Sequence, residues 1–286
     1  MSAFGSESSP AVSSLSAAAP LPAKNVTSVA PLAFLQSRLL HLRRREGIAF
    51  LAGLLLLWQL VSSGANFSGK YLFPSPLLTA KTLWASLPEL LLGTAYSFLI
   101  LLPSLALAIS LGIVWGLLVG TTPALSRMFS PFARFASPVP PTIYIPYAIA
   151  LLPTFRTAAG FVIFVGVFWP VFLNAANGAA ALPQQHRDNA RILGLKRTEY
   201  LRRVVFPASL PHIFSGVSVG LVFAFIMLTV AELFGAGKGL GRFVQLYADY
   251  ADYPRMVAGI LYTGLVVWLS MEVLERVKKR ALFWLK

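Results

Sequence analysis

Residues 182–211 read LPQQHRDNARILGLKRTEYLRRVVFPASLP, and they lie between two long apolar runs, 158–178 and 212–235. This stretch gathers eight charged side chains and a histidine, whereas the two runs beside it carry a single charged residue, Glu232. Apolar runs of about 20 residues are long enough to cross a bilayer, and basic loops between them mark the cytoplasmic side. The pattern therefore predicts a polytopic membrane protein with a cytoplasmic loop at this position.

The composition also favours a membrane protein. Hydrophobic residues make up 57% of the 286-residue chain and charged residues 12%, against roughly 25% charged residues in soluble domains. A net charge of +14 in a soluble protein would indicate nucleic-acid binding. Here the basic residues stand between apolar runs, which favours a lipid environment and no nucleic-acid partner. The absence of cysteine excludes disulfides and thiolate chemistry.

The hydrophobic pattern predicts an all-α fold with about six transmembrane helices, because six runs approach the length that a membrane helix needs. The run near 136–152 is the weakest of them, because it holds four prolines, which remove backbone donors and need shelter from neighbouring protein. The predicted spans are 47–63, 92–120, 136–152, 158–178, 212–235 and 255–274.

Two domains are expected, a tail over 1–46 and a transmembrane domain over 47–286. The tail is rich in Ser, Ala and Pro, ends in the basic SRLLHLRRRE, and is predicted to be disordered and cytoplasmic. Six spans with the N-terminus inside place 18 of the 24 Lys and Arg residues on the inner side and six outside. This bias predicts cytoplasmic N- and C-termini and a cytoplasmic loop near 179–211.

The charged loop has the pattern of two short helices joined at a glycine. HRDNARIL, 186–193, is a plausible helix with Asp188 near its start, where a negative charge meets the positive end of the helix dipole. Gly194 suits a left-handed C-terminal cap. A second helix can begin at Thr198, with Glu199 in its first turn. A structured loop of this kind is predicted to dock on a partner.

Several motifs together resemble the ABC importer permeases, and most closely their nitrate, sulfonate, taurine and bicarbonate branch. The charged loop resembles the family's cytoplasmic "EAA" loop, although Glu-Ala-Ala is replaced by Asp-Asn-Ala and the Leu before the final proline by Phe206. The resemblance covers roughly residues 50 to 280. The motifs are Leu72-Phe73-Pro74-Ser75-Pro76, Pro138-Val139-Pro140-Pro141, Asp188-Asn189-Ala190 with Gly194, Val204-Val205-Phe206-Pro207, Ala231-Glu232-Leu233 and Gly239-Leu240-Gly241.

The resemblance implies a type I binding-protein-dependent importer in a bacterial inner membrane. Two copies of the permease would form a homodimer in lipid, and two cytoplasmic ATPase subunits would bind the ATP and magnesium, so the permease itself needs no cofactor. An external solute-binding protein would deliver a small anion. Aliphatic sulfonate, taurine, nitrate and bicarbonate all fit the branch, and a neutral vitamin precursor fits it too.

Candidate site residues follow from this resemblance. Ala190 would let a helix enter a groove of the ATPase, and Arg187 and Arg191 would meet acidic groups there. The residues assigned to ATPase coupling are Arg187, Asp188, Asn189, Ala190, Arg191 and Gly194. The loop residues Gly239, Leu240 and Gly241 are assigned to contact with the binding protein.

Buried polar residues are candidates for the translocation path or its gate. They are Asn174, Asn177 and Glu232, because polar groups inside a membrane face protein or a water-filled path. For Glu232 a second reading stays open, in which it bonds to its own loop near the outer end of the span. Gly216 and Gly220, four residues apart, suit close helix packing within the subunit or between subunits.

No catalytic or metal site is expected. FGAGKGLGRF, 234–243, lacks the hydroxyl that a phosphate loop needs after its lysine, and His41, His186 and His212 are scattered. Because these motifs are absent, we expect that the protein is not an enzyme. The rival functions are a stand-alone secondary transporter or channel, and a membrane receptor or scaffold without transport. Neither an internal repeat nor a midplane acid supports the first rival.

Overall fold

The computed structural model describes residues 47, 49–64 and 73–285. The predicted tail over 1–46 lies outside the described residues. The chain divides into two compact units, Met1–Leu55 and Leu56–Lys286. Of the first unit, the structure describes only the beginning of a helix that continues into the second.

Helices form nearly all of the described chain, and no strand occurs in the part that the structure describes. A 3₁₀ turn, Pro141–Tyr144, precedes the short helix Ile145–Leu151, and a π-helical segment, Leu201–Val205, joins the helices Arg197–Tyr200 and Phe206–Gly235. The helices are α1 Ala49–Gly64, α2 Pro76–Thr121, α3 Pro123–Ala136, α4 Ile145–Leu151, α5 Phe155–Ala180, α6 Gln184–Ile192, α7 Arg197–Tyr200, α8 Phe206–Gly235, α9 Leu240–Asp249 and α10 Tyr253–Ala281.

Four helical stretches are long and apolar enough to cross a membrane: α2, α5, Arg197–Gly235 and α10. The runs predicted at 47–63 and 136–152 form shorter apolar helices, Ala49–Gly64 and Pro141–Leu151. The second is short because its prolines break the backbone hydrogen-bond ladder. The prediction of an all-α membrane fold is confirmed, with four long spans and two shorter apolar segments.

Helix α2 is 46 residues long and starts well before the predicted span. The Ser75 hydroxyl caps it by accepting from the Leu78 N–H at 3.3 Å, and Pro76 occupies the first helical position. At about 1.5 Å per residue the helix is about 69 Å long, more than twice the bilayer core. The sequence prediction began at residue 92 because Lys81 and Glu89 interrupt the apolar pattern before it.

Helix α5 lies at the centre of the bundle, between α2 and α8. Gly116 of α2 approaches it so closely that a Cβ at this position would lie 2.6 Å from the Ala175 Cβ. On α8, a Cβ at Gly216 would lie 2.8 Å from the Asn174 Cβ, and Gly220 faces Val167. The predicted role of Gly216 and Gly220 in close packing is confirmed, and the packing is within the subunit.

The last two helices, α9 and α10, pack against each other and against α2. The Asp252 carboxylate caps α10 by accepting from the Arg255 N–H at 3.2 Å. Gly259 of α10 leaves room for the Phe243 ring of α9. The Thr94 hydroxyl of α2 lies 3.2 Å from the Tyr262 hydroxyl of α10, and this hydrogen bond joins the two helices.

Candidate functional site

The charged loop folds into a compact segment, residues 184–200, which we call the coupling hairpin. Helix α6 ends at Ile192, and Gly194, two residues later, has a left-handed φ of +62°. The Leu195 N–H donates to the Ala190 carbonyl at 3.1 Å, and the Gly194 N–H to the Arg191 carbonyl at 3.0 Å. These two bonds form a Schellman cap, so the predicted glycine cap is confirmed.

Two local predictions for the hairpin are wrong. Asp188 is the fifth residue of α6, not near its start; it accepts from the Gln184 side chain at 3.0 Å and lies 3.8 Å from Arg191. Thr198 does not cap α7. Lys196 occupies the cap position, because the Glu199 carboxylate accepts from its backbone N–H at 3.2 Å.

The sequence had indicated that the second helix of the hairpin is a separate short helix, and this prediction is wrong. The helix runs on through the π segment into α8, so that Arg197–Gly235 is one continuous helical stretch. Here the Phe206 N–H reaches back to the Leu201 carbonyl, five residues earlier. Pro207 stands near the start of α8, where a missing N–H is tolerated.

Ala190 and Arg187 both have close surroundings within their own chain. Ala190 is only 5% exposed and lies beside Leu195 and Tyr200. The Arg187 guanidinium donates to the Ala180 carbonyl at 3.0 Å and to the Leu182 carbonyl at 3.3 Å, at the C-terminal end of α5. Arg187 thus fastens the hairpin to the end of α5, and the assignment of both residues to ATPase coupling stays a prediction.

Arg197 makes a second attachment, because its guanidinium donates to the Thr122 hydroxyl at 2.7 Å, at the end of α2. The large apolar side chains that the hairpin exposes lie at its tip. Ile192 is 83% and Leu193 72% exposed, and Asn189 and Arg191 beside them are exposed as well. The sequence already showed this feature, because Ile192 and Leu193 form an apolar pair directly before Gly194.

Glu232 forms the second notable cluster, which we call the glutamate clamp: Ser97, Glu232, Leu240 and Gly241. Glu232 is fully buried. Its Oε1 accepts from the Ser97 hydroxyl at 2.6 Å and its Oε2 from the Gly241 N–H at 2.7 Å. The Leu240 N–H donates to the Ser97 hydroxyl oxygen at 3.0 Å. The carboxylate thus ties α2, α8 and α9 together, in line with the reading that it bonds to its own loop.

The loop glycines are buried against this carboxylate. Gly239 has a φ of +142°, and a Cβ there would collide with the Glu232 carboxylate. A Cβ on Gly241 would lie 2.7 Å from the Thr229 carbonyl. Leu240 is buried too. The expectation that Gly239, Leu240 and Gly241 present a surface to a binding protein is corrected, because close packing on the clamp is what requires the glycines.

A further link lies next to the clamp. The Tyr247 hydroxyl of α9 donates to the Glu89 carboxylate of α2 at 2.9 Å. Burial raises the pKa of Tyr247, and the Glu89 carboxylate raises it further, so the phenol keeps the proton that it donates. Helix α9 is therefore fixed to α2 at two places.

Asn174 and Asn177 lie far from Glu232. Asn174, near the C-terminal end of α5, donates to the Pro170 carbonyl at 2.8 Å and packs beside Gly216. Gly216 and Glu232 are 16 residues apart on α8, about 24 Å along the helix. Asn177 is exposed on α5. The three candidate path residues therefore do not form one site.

Comparison with known proteins decides between the rival functions. Residues 73–281 match the family described as binding-protein-dependent transport system inner membrane component. The chain belongs to this family. The permease is therefore a multi-pass inner-membrane component of an ABC importer, not an enzyme, and the resemblance inferred from its motifs is confirmed.

Several relatives of the permease are named as permeases for nitrate, bicarbonate or taurine. It is 28% identical over 230 residues to the nitrate import permease protein NrtB of Synechocystis sp., covering 76% of this chain and 81% of that one. It is 28% identical over 252 residues to the bicarbonate transport system permease protein CmpB of Synechococcus elongatus, covering 80% and 88%. It is 28% identical over 243 residues to the taurine transport system permease protein TauC of Escherichia coli, covering 83% and 88%.

A solved structure shares the fold. The permease aligns with a chain of the MetNI methionine ABC transporter in an inward facing conformation, with a TM-score of 0.58 and 17% sequence identity. The alignment covers 69% of this chain and 98% of the other. At this identity the likeness extends to the fold alone.

Proposed function

We propose that this permease passes a small anion of the nitrate, bicarbonate or sulfonate kind across the inner membrane, driven by ATPase subunits that dock on the coupling hairpin. The observation that carries the proposal is the hairpin, a structured charged segment that presents Ile192 and Leu193 to solvent. The names of the relatives NrtB, CmpB and TauC support the substrate class.

The hairpin has the features of a docking element. Exposed apolar side chains surrounded by polar ones mark interaction sites, and a few buried anchors carry most of the energy of an interface. Ile192 and Leu193 are such anchors, with Asn189 and Arg191 as a polar rim. Ala190, Arg187 and Gly194 keep their assignment to coupling: Arg187 holds the hairpin on the end of α5, and Ala190 and Gly194 maintain the cap that shapes its tip.

We propose that the hairpin and the C-terminus face the cytoplasm. The bonds from Arg187 to Ala180 and from Arg197 to Thr122 bring the ends of α5 and α2 to the hairpin. The described segments at this end carry twelve Lys and Arg residues, against five at the end with the glutamate clamp, as expected for a cytoplasmic face. The twelve are Arg127, Arg134, Arg187, Arg191, Lys196, Arg197, Arg202, Arg203, Arg276, Lys278, Lys279 and Arg280.

We propose a homodimer with two ATPase subunits, and an external binding protein that contacts the end with the clamp. At that end Gly237, Lys238 and Tyr250 are exposed, and they replace the buried Gly239–Gly241 loop as the contact surface. Asn177, exposed on α5, is the residue assigned to the path, and Asn174 supports the helix beside it. Glu232 acts on the outer end by holding α9 in place.

The docking proposal is tested with the double variant Ile192→Ser, Leu193→Ser. Both side chains are exposed, so the permease should reach the membrane in normal amount. Co-purification of the ATPase should fall at least about tenfold, since losing two apolar anchors costs a few kcal/mol. Uptake of labelled nitrate, bicarbonate and taurine is measured alongside and should fall with it.

Arg203→Ala is the matched control. Arg203 is also exposed near the hairpin, and among the described residues its one ion pair is with Glu199, at 3.9 Å. This variant should keep both ATPase binding and uptake. Full ATPase recovery with the double serine variant would show that the hairpin tip is not the dock.

A further inference from the structure

A cavity of about 560 Å³ opens at the end of the bundle that carries the glutamate clamp. It lies between α2, the start of α5 and the loop before α9. Ile100 and Phe155 supply an apolar wall, and the other lining residues are polar or basic. The lining consists of Tyr96, Ile100, Thr154, Phe155, Arg156, Gly237 and Lys238.

Two cations and no acid line this cavity. Within the described residues, neither Arg156 nor Lys238 has a carboxylate within 4.0 Å. Other basic side chains in that part of the chain, Arg255 among them, do pair with a neighbouring acid. Glu232 is not part of the wall, because it is fully buried and both its oxygens accept hydrogen bonds. The cavity therefore has uncompensated positive charge.

The geometry keeps this charge in place. The Lys238 Nζ lies 5.0 Å from the centroid of the Tyr96 ring, a cation–π contact that holds the ammonium at the wall. Arg156 lies in the first turn of the 26-residue helix α5, which Thr154 caps. The positive end of that helix dipole adds to the guanidinium charge. No acidic side chain lies in the first turn of α5, so the cavity beside it leaves open space that an anion can fill.

We propose that this cavity, between Arg156 and Lys238, is a binding site for the small anion on its way into the permease, an oxoanion or an alkanesulfonate. The site rests on the proposed function for its substrate class and for the outward direction of this end. A guanidinium offers paired donors to a planar or tetrahedral oxoanion, and the ammonium offers a point charge. The apolar wall accommodates the short carbon chain of a sulfonate.

The absence of cysteine from the chain makes a direct test possible. Thr154→Cys places one thiol in the cavity, and Tyr250→Cys places one on the exposed turn before α10 as a control. Each variant, purified in detergent, is treated with two methanethiosulfonate reagents, one ending in a sulfonate and one in a trimethylammonium group. The ratio of the two reaction rates reports the local electrostatic potential.

At low salt, the sulfonate reagent should be favoured about tenfold more at Thr154→Cys than at Tyr250→Cys, because two nearby cations attract it. Adding Arg156→Gln and Lys238→Gln should remove this preference. Millimolar nitrate or ethanesulfonate should slow the reaction at Thr154→Cys more than equal chloride does. Should Thr154→Cys fail to fold, Gly237→Cys serves instead, since a Cβ there meets open space.

Equal rate ratios at the two positions would overturn the site, and so would a preference that nitrate and ethanesulfonate do not protect against better than chloride. Detergent exposes both faces, so these results do not depend on orientation in the membrane. Failure of the wild-type complex to take up nitrate, bicarbonate or taurine would instead count against the proposed function. The two failures are therefore distinguishable.

Discussion

The single hydroxyl of Ser97 serves two buried partners on different helices. It donates to the Glu232 carboxylate and accepts from the Leu240 N–H, which lie 135 and 143 residues away in sequence. Nothing near Ser97 in the sequence marks it for this role. In contrast, the left-handed cap at Gly194 was predictable, because its cause, a glycine after an apolar pair, is local.

Ser97→Ala should destabilise the permease by about 1–3 kcal/mol, because it leaves a buried carboxylate oxygen and a buried N–H without partners. The measurement is the temperature at which the detergent-solubilised protein leaves the monodisperse size-exclusion peak. Ser110→Ala on the same helix is the control. Its exposed hydroxyl only bonds back to the Ala106 carbonyl, so its effect should stay within about 0.5 kcal/mol. Equal melting of the two variants would contradict the clamp.

At the scale of helices, the sequence predicted which segments are apolar better than where they begin and end. The predicted spans 158–178 and 212–235 lie within α5 and α8, since each is a continuous apolar run. Helix α2 was predicted to begin 16 residues too late, and the Pro-rich run became a 3₁₀ turn and a seven-residue helix. Such breaks depend on shelter by neighbouring helices, which a single sequence does not display.

The glycine contacts of α2 were also missed, although Gly112, Gly116 and Gly120 stand at regular spacing. Gly116→Val should prevent α2 from approaching α5, because its Cβ position is already 2.6 Å from the Ala175 Cβ. The expected result is loss of folded permease from the membrane, or a loss of stability of several kcal/mol. Gly264→Val on α10 is the control, since a Cβ there meets nothing within 4 Å.

That experiment is read from the amount of monodisperse protein and its melting temperature. Equal yields and equal melting of the Gly116 and Gly264 variants would mean that the α2–α5 contact does not hold the bundle together. A loss at Gly116 alone would assign the packing at the centre of the bundle to this glycine row.

At the scale of the whole molecule, the proposed orientation in the membrane rests on the distribution of Lys and Arg between the two ends and not on any one contact. Tyr250 is exposed at the C-terminal end of α9, and Lys279 is exposed near the end of α10. Tyr250→Cys should react with a membrane-impermeant maleimide in intact cells. Lys279→Cys should react only after the membrane is permeabilised. Labelling of both residues in intact cells would contradict the proposed orientation.

The family was recognisable from the sequence, because its motifs recur in a fixed order along the chain, from Pro74 to Gly241. The roles of individual residues were less accessible. Ala190 and Gly241 stood in the right motifs, but the Ala190 methyl is buried and the Gly241 backbone packs against Thr229 and Glu232 of its own chain. A motif in one sequence marks a position that matters, and only the packing around it shows whether the position faces a partner or supports a neighbour.

One continuous helical stretch, Arg197–Gly235, begins inside the coupling hairpin and ends beside Glu232. Its contour length is about 58 Å, and it contains no loop that would absorb a movement. A rotation of the hairpin would therefore be passed along this helix to the glutamate clamp. The π segment Leu201–Val205 lies within this stretch directly after the hairpin, and such segments often occur at functional sites of a helix.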